Sequence, residues 1–132
     1  MIAPYAYVDA SALVKLVVLE RETAALEHNI AARAGLLCSA LGATELTRAC
    51  RRALSRKQLS RVEEVLDAVV LIDVTPAILS AAANLAPADL RTLDAIHVAT
   101  ALSIGERDLD VITYDQRLAR AATAHGLSVV TP

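Results

Sequence analysis

The sequence predicts an α/β fold: a central, mainly parallel β-sheet sandwiched by α-helices, in one domain spanning 1–132. Three observations predict it. Short apolar stretches of strand length alternate with longer helical stretches along the whole chain, the pattern of a parallel sheet with helical crossovers. The joins carry helix-start and helix-stop residues: Ser39, Ser55, Thr75-Pro76, Gly35, Gly105 and Gly126. The chain is 55% hydrophobic yet has no Phe and no Trp, so Ala, Leu and Val must fill its core. Small aliphatic residues suit close-packed helices and buried parallel strands.

Ala6-Tyr7-Val8 reads as a short strand running into Asp9. Ala10 to Val18 reads as helix, with Leu13, Leu16 and Val17 on one stripe. A second helix runs from about Thr23 to Arg33, stopped by Gly35, and Leu36-Leu37-Cys38 is a buried strand. Ser39 caps a helix from Ala40 to Leu54, Ser55 breaks it, and a further helix spans Lys57 to Ala68. These two consecutive helices are expected to form a hairpin at one end of the domain. Val69 to Val74 is β-rich, and Thr75-Pro76 opens a helix to Leu85, with Pro in the first turn. After Pro87, a helix from Thr92 to Ile104 ends at Gly105. Asp110 to Thr113 is a strand, Asp115 to His125 a helix, and Leu127 to Val130 the last strand. No linker, repeat or low-complexity segment interrupts the series.

With 132 residues the chain makes one domain with one real core. Its net charge of −2 is not the footprint of a protein that binds nucleic acid by bulk charge. An RNA substrate would have to be met locally, by metal ions or a basic patch. Cys38 and Cys50 have no metal-type spacing and read as free, buried thiols of a reducing cytoplasm. Met1-Ile2-Ala3-Pro4-Tyr5 lacks the pattern of a signal peptide. No apolar run approaches the ~18 residues of a membrane span. A cytoplasmic protein is the expectation.

The acidic residues carry the functional reading. There are 15, and most lie in polar stretches. Four stand in apolar surroundings: Asp9 at the end of the first strand, Glu45 within Ala40 to Leu46, Asp94 within Leu93 to Ile96, and Asp115 after Val111 to Tyr114. Each alone has a structural explanation. Asp9 and Asp115 are natural N-caps, Asp94 a first-turn acid favoured by the helix dipole, and Glu45 a helix-surface residue. Together they say more. In a parallel α/β sheet the strand-to-helix turns share the edge where such folds bind ligands, and Glu45 and Asp94 come from helices that can lean over it. Two unit charges ~4 Å apart repel by ~4 kcal/mol at an effective dielectric of ~20. Four converging carboxylates therefore call for shared protons, Arg or Lys partners, or divalent cations. Mg²⁺ and Mn²⁺ take hard oxygen ligands, keep waters and leave room for a phosphate. A site of this kind activates water against a phosphodiester, and the helix starts after Asp9 and Asp115 favour an anion.

Tyr7-Val8-Asp9-Ala10-Ser11-Ala12-Leu13-Val14-Lys15-Leu16 resembles the opening motif of PIN domains, particularly the VapC-like toxins of bacterial toxin–antitoxin pairs. Ser39-Ala40-Leu41 through Glu45-Leu46 resembles their second motif, Leu93 through Ala101 the third, and Thr113-Tyr114-Asp115-Gln116-Arg117-Leu118 the fourth. The order and approximate spacing are the family's, over nearly the whole chain. The resemblance implies a PIN fold and a Mg²⁺- or Mn²⁺-dependent endoribonuclease. It implies a homodimer, and an antitoxin (VapB-like) whose C-terminal segment covers the acidic cleft. It assigns the catalytic site to Asp9, Glu45, Asp94 and Asp115, with Asp9, Asp94 and Asp115 on the metal. By the same analogy Ser11 and Thr113 hydrogen-bond and orient the carboxylates.

Arg48 and Arg52 lie three and seven residues beyond Glu45 and share its helix face, so they are candidates for contact with an RNA backbone. Lys15 is a third, able either to touch phosphate or to pair with a carboxylate. Arg51, Lys57 and Arg61 read as a solvated helix face. His97, three residues after Asp94, reads as a packed, hydrogen-bonded histidine, and Asp108 and Asp110 as solvated. Other functions fit less well. A phosphoacceptor domain wants an acidic pair at the first strand and a late Lys, but Val8 precedes Asp9 and no Lys follows Lys57. A haloacid-dehalogenase-type phosphatase wants Asp-x-Asp, where Ser11 takes the second place. A housekeeping RNA-processing PIN nuclease is the nearest alternative. A non-catalytic acidic-cleft binding module would be favoured by loss of one acid, and none is missing.

Overall fold

The computed structural model describes residues 2–105 and 108–132. Five strands, β1 (Tyr5–Val8), β2 (Gly35–Ser39), β3 (Val69–Ile72), β4 (Leu109–Ile112) and β5 (Ser128–Val130), form one sheet in the order β3-β2-β1-β4-β5. Every pairing is parallel. Among the described residues seven helices connect and flank the strands: α1 (Ala10–Val17), α2 (Thr23–Ala31), α3 (Ala40–Ala53), α4 (Arg56–Asp67), α5 (Pro76–Ala83), α6 (Thr92–Ile104) and α7 (Gln116–Ala124). All predicted elements are present, with ends moved by a residue or two. α2, β3 and α5 each end two residues early, and β3 stops at Ile72 because Thr75 must leave the sheet to cap α5 through Ile78 N–H.

The two faces of the sheet follow from strand alternation. Ala6, Val8, Leu36, Cys38 and Ile112 point to one side, packed with Leu13 of α1, Leu46 and Cys50 of α3, and Val62 and Val65 of α4. Tyr7, Leu109 and Val111 point to the other, against Val98 of α6 and Leu118 and Ala122 of α7. Ile78 and Ala82 of α5 seal the outer flank of α6 at Ala95, Ile96 and Ala99. The α3–α4 hairpin thus lies over the β2–β3 half of one face, packed on α1, rather than projecting from an end of the domain. Its buried stripe, Leu46, Cys50, Val62 and Val65, is what holds it down. Cys38 and Cys50 are free and buried, as expected.

Asp110 departs from the sequence reading. It lies near the start of β4 and is only 9% exposed. The fully buried Arg33 side chain donates to it at 2.8 Å, and to Ala3 O at 2.9 Å. Burial alone would push this carboxyl up, but hydrogen bonds from Arg33 and Ser128 and the Arg33 charge together hold it below the usual carboxylate range. The pair staples the turn after α2 to β4 at the edge of the sheet opposite Asp9. Asp108 is exposed, as expected.

Candidate active site

The register Val8↔Ile112 places the ends of β1 and β4 side by side. The residues that follow them, Asp9 and Thr113, therefore meet at the C-terminal edge of the sheet. Asp9 Oδ1 accepts from Ser11 Oγ at 2.7 Å and from Ala12 N–H at 3.2 Å, and Oδ2 accepts from Thr113 Oγ1 at 2.8 Å. Both hydroxyls are themselves oriented. Ser11 Oγ accepts from Tyr114 N–H at 2.9 Å, and Thr113 Oγ1 from Asp115 N–H at 3.0 Å. With the backbone occupying their lone pairs, each turns its hydrogen toward the carboxylate. Burial pushes Asp9 upward, and these donors oppose the rise. Ser11 and Thr113 thus make the contacts with Asp9 that the resemblance implied.

The N-cap readings of Asp9 and Asp115 also hold. Asp9 caps α1, and Asp115 Oδ1 accepts from Arg117 N–H at 2.9 Å and Leu118 N–H at 3.4 Å at the start of α7. Cap and site are one arrangement, because capping points both carboxylates across the same sheet edge. Asp94, in the first turn of α6, is half-buried. Burial and the neighbouring Asp115 push its carboxyl up, with a smaller push from Asp9, while His97 and Arg91 oppose the rise. Asp94 therefore lies within reach of the charges of both Asp115 and Asp9.

Glu45 reaches these acids along a different route. Its Oε1 lies 2.6 Å from His97 Nε2, and His97 Nδ1 lies 2.7 Å from Tyr7 Oη. Tyr7 Oη also accepts from Ser39 N–H at 3.2 Å. The imidazole therefore bridges the two, with Nδ1 toward the Tyr7 hydroxyl and Nε2 toward Glu45. Burial, with the nearby charges of Cys38, Asp9 and Glu45, keeps Tyr7 protonated and able to play this part. His97 is the packed, hydrogen-bonded residue expected, but its partner is one of the four acids. Sequence reasoning passed over Tyr7, and it read His97 as packing without finding its partner. The one signal was their type: a polar tip inside an apolar strand and an apolar helix.

The donor set fits a hydrated hard cation. Among the described residues no three carboxylate, histidine or cysteine side chains stand together so as to enclose an ion. Mg²⁺ does not demand such a cage; it keeps waters and takes one or two carboxylates. Asp9 is fixed by its hydrogen bonds, and Asp94 feels the charges of both Asp9 and Asp115, so these three are the residues that would hold the ion.

The basic candidates separate. Lys15 Nζ is engaged by Glu20 at 3.0 Å and Glu22 at 3.1 Å and sits 4.7 Å over the Tyr114 ring. It takes the carboxylate-pairing role and is not free for phosphate. Arg48 and Arg52 are exposed and, with Arg51, line an open groove of about 540 Å³ along α3. Arg61 is bound to Glu64 and to Leu16 O, a surface role as expected.

A PIN-domain family model matches residues 6–124. The chain belongs to the PIN-domain family. This PIN domain is 40% identical over 128 residues to Ribonuclease VapC46 of Mycobacterium tuberculosis, covering 96% of each protein. It is 42% identical over 130 residues to Ribonuclease VapC35 of the same species, again covering 96% of each. Among solved structures it resembles M. tuberculosis VapC20, a Sarcin-Ricin loop cleaving toxin, with a TM-score of 0.73 at 18% identity, covering 96% of this PIN domain and 99% of that chain. It resembles a toxin–antitoxin complex from Klebsiella pneumoniae equally well, with a TM-score of 0.73 at 23% identity, covering 96% and 97%. Identity at that level speaks for the fold alone. The family and the fold agree with the motif reading, and the relatives are VapC ribonucleases over their full length.

Proposed function

We propose that this PIN domain is the endoribonuclease toxin of a toxin–antitoxin pair, a cytoplasmic homodimer that cleaves RNA phosphodiester bonds with Mg²⁺ or Mn²⁺ and is held inactive by a VapB-like antitoxin. The observation that carries the reading is the acidic group Asp9, Asp94 and Asp115 at the C-terminal sheet edge, in a chain whose full-length relatives are named ribonucleases. The VapC relatives favour the toxin over a housekeeping nuclease. The VapBC and FitAB complexes among fold neighbours support an antitoxin partner.

Asp9, Asp94 and Asp115 would hold the ion, which when bound supplies charge neutralisation and a water of lowered pKa. Asp9, fixed by Ser11 and Thr113, sets where the scissile phosphate is drawn. Glu45, held by His97, would take a proton from the attacking water. The N-terminus of α1 offers the phosphate a favourable dipole.

The test is incubation of purified protein with a mixed RNA pool, with Mg²⁺, with Mn²⁺ and with chelator, beside Asp94→Asn prepared in parallel. Cleavage that needs the ion and vanishes in the variant is expected. Cleavage that persists equally in Asp94→Asn would place the activity elsewhere.

A further inference from the structure

A second cleft opens directly from the acidic site, between α6 and α7. It measures about 440 Å³, within the range of small-ligand pockets. Asp94 lies in its wall, so whatever enters the cleft lies against the candidate catalytic group. Three arginines line it: Arg91 at the N-cap of α6, and Arg117 and Arg120 on α7. All three are exposed, and none has an ion-pair partner among the described residues.

The floor is apolar and shallow. Arg117, Arg120, Ala121 and Ala124 repeat at helical spacing and share one face of α7. Two alanines at the far end of that face leave open space where larger side chains would fill it. Pro87 and Leu90 complete the floor from the opposite wall. Both walls are fastened. His125 Nε2 lies 2.7 Å from Ala86 O, tying the end of α7 to the turn before α6, and the Asp115 cap fixes the start of α7 beside Arg117. Asp89 is the other acid in the cleft, so three cations face two carboxylates, and the balance is positive.

We propose that this α6–α7 cleft binds the nucleotide adjoining the scissile bond of an RNA strand. The Arg117 and Arg120 guanidiniums take its phosphate, Arg91 adds a third cation at the mouth, and the base lies on the Pro87–Leu90–Ala121 floor. The chemistry favours a nucleotide. Guanidinium matches phosphate bidentately and also stacks on base faces, and an apolar floor beside a charged rim fits a base joined to a phosphate. The cleft rests on the ribonuclease reading and gives it a polarity: the strand crosses Asp94 into a defined pocket.

The test measures RNA binding by the cleavage-silent Asp9→Asn protein, with a labelled random-sequence RNA 12-mer, across a salt series with Mg²⁺ present. Arg117→Ala with Arg120→Ala is expected to weaken binding about tenfold or more. It should also flatten the log K against log salt line by ~0.7 for each phosphate that is no longer neutralised. Lys at both positions should keep the slope and recover only part of the affinity. Arg21→Ala, an exposed charge in the α1–α2 turn, controls for bulk charge. Equal binding and slope in the Ala pair, or an equal loss in Arg21→Ala, would overturn the subsite while leaving the ribonuclease reading standing. Unchanged RNA binding with lost antitoxin binding would overturn it in favour of a protein-docking cleft. No RNA binding by the parent would remove the ribonuclease reading and the subsite together.

Discussion

Asp9, Asp94 and Asp115 are individually ordinary helix-start acids, and their surroundings give Asp9 and Asp94 a measurable property. Burial raises Asp9, and burial with the Asp115 charge raises Asp94. A carboxyl whose pKa rises on folding contributes stability below the usual range near 4 and loses it as pH climbs through the raised value. In the metal-free protein the charged form of both groups is therefore disfavoured relative to the unfolded chain. A bound divalent ion offsets this, and ligand at 100 times its Kd adds about 2.7 kcal/mol. Thermal melts at neutral pH are expected to rise with Mg²⁺ or Mn²⁺. Metal-free Asp94→Asn should melt above the metal-free parent and gain less from the ion. Melts indifferent to both ions would speak against a metal at these carboxylates. The Tyr7–His97–Glu45 chain makes a second residue-scale prediction. In His97→Gln an amide N–H replaces the Nε2–H donor to Glu45. In His97→Leu nothing does; Glu45 loses its donor, and the buried Tyr7 hydroxyl loses its imidazole partner, at about 1–3 kcal/mol for the buried group. Cleavage should survive largely in the Gln variant and fall ten- to a hundredfold in the Leu variant, mainly in kcat, at a temperature where both are folded. Equal rates would reduce His97 to packing.

At the scale of elements, the placement of Glu45 depends on how closely α3 approaches β2. Gly42 makes that approach possible, since a Cβ there would overlap Cys38 Sγ and lie 3.6 Å from His97 Cε1. Both neighbours are buried, and Cys38 is fixed on a central strand, so the helix would have to move. Gly42→Ala is expected to destabilise by about 1–3 kcal/mol, as overpacking does. It should also lower cleavage, because Glu45 lies one turn further along the displaced helix. Cys38→Ala in the same chain removes the obstructing sulfur and should restore part of both, read by denaturant melts and rates. Cys38 gives up little chemistry in that exchange, since burial pushes its thiol up to about 12. Rates that fall without recovery in the pair would mean that Gly42 serves the site in another way.

Across the whole molecule, stability and chemistry are anchored at opposite edges of one sheet. The acids lie beyond the C-terminal ends of β1 and β4, and the Arg33–Asp110 pair lies at the other edge. Breaking a buried pair by removing one partner strands the other charge and costs about 3–5 kcal/mol. Arg33→Ala should therefore lower the denaturation midpoint strongly and leave kcat unchanged while the protein is folded. A matched loss of kcat would show that the two edges are coupled.

The sequence by itself determined the α/β class and the strands and helices of the described residues, and it singled out four acids as candidates, because these are written in local periodicity, in capping residues and in short motifs. Asp9 and Asp115 were legible because a strand-end acid both caps a helix and faces the ligand edge. The tertiary structure alone decided the strand order, with β1 between β2 and β4, since pairing is set by packing between distant segments. It decided that Lys15 is spent on Glu20 and Glu22 and that Asp110 is buried against Arg33, 77 residues away. It joined Tyr7 to His97 across 90 residues and His97 to Glu45 across 52. No sequence window spans such distances, and a hydrogen bond is settled only when folding brings donor and acceptor within about 3 Å.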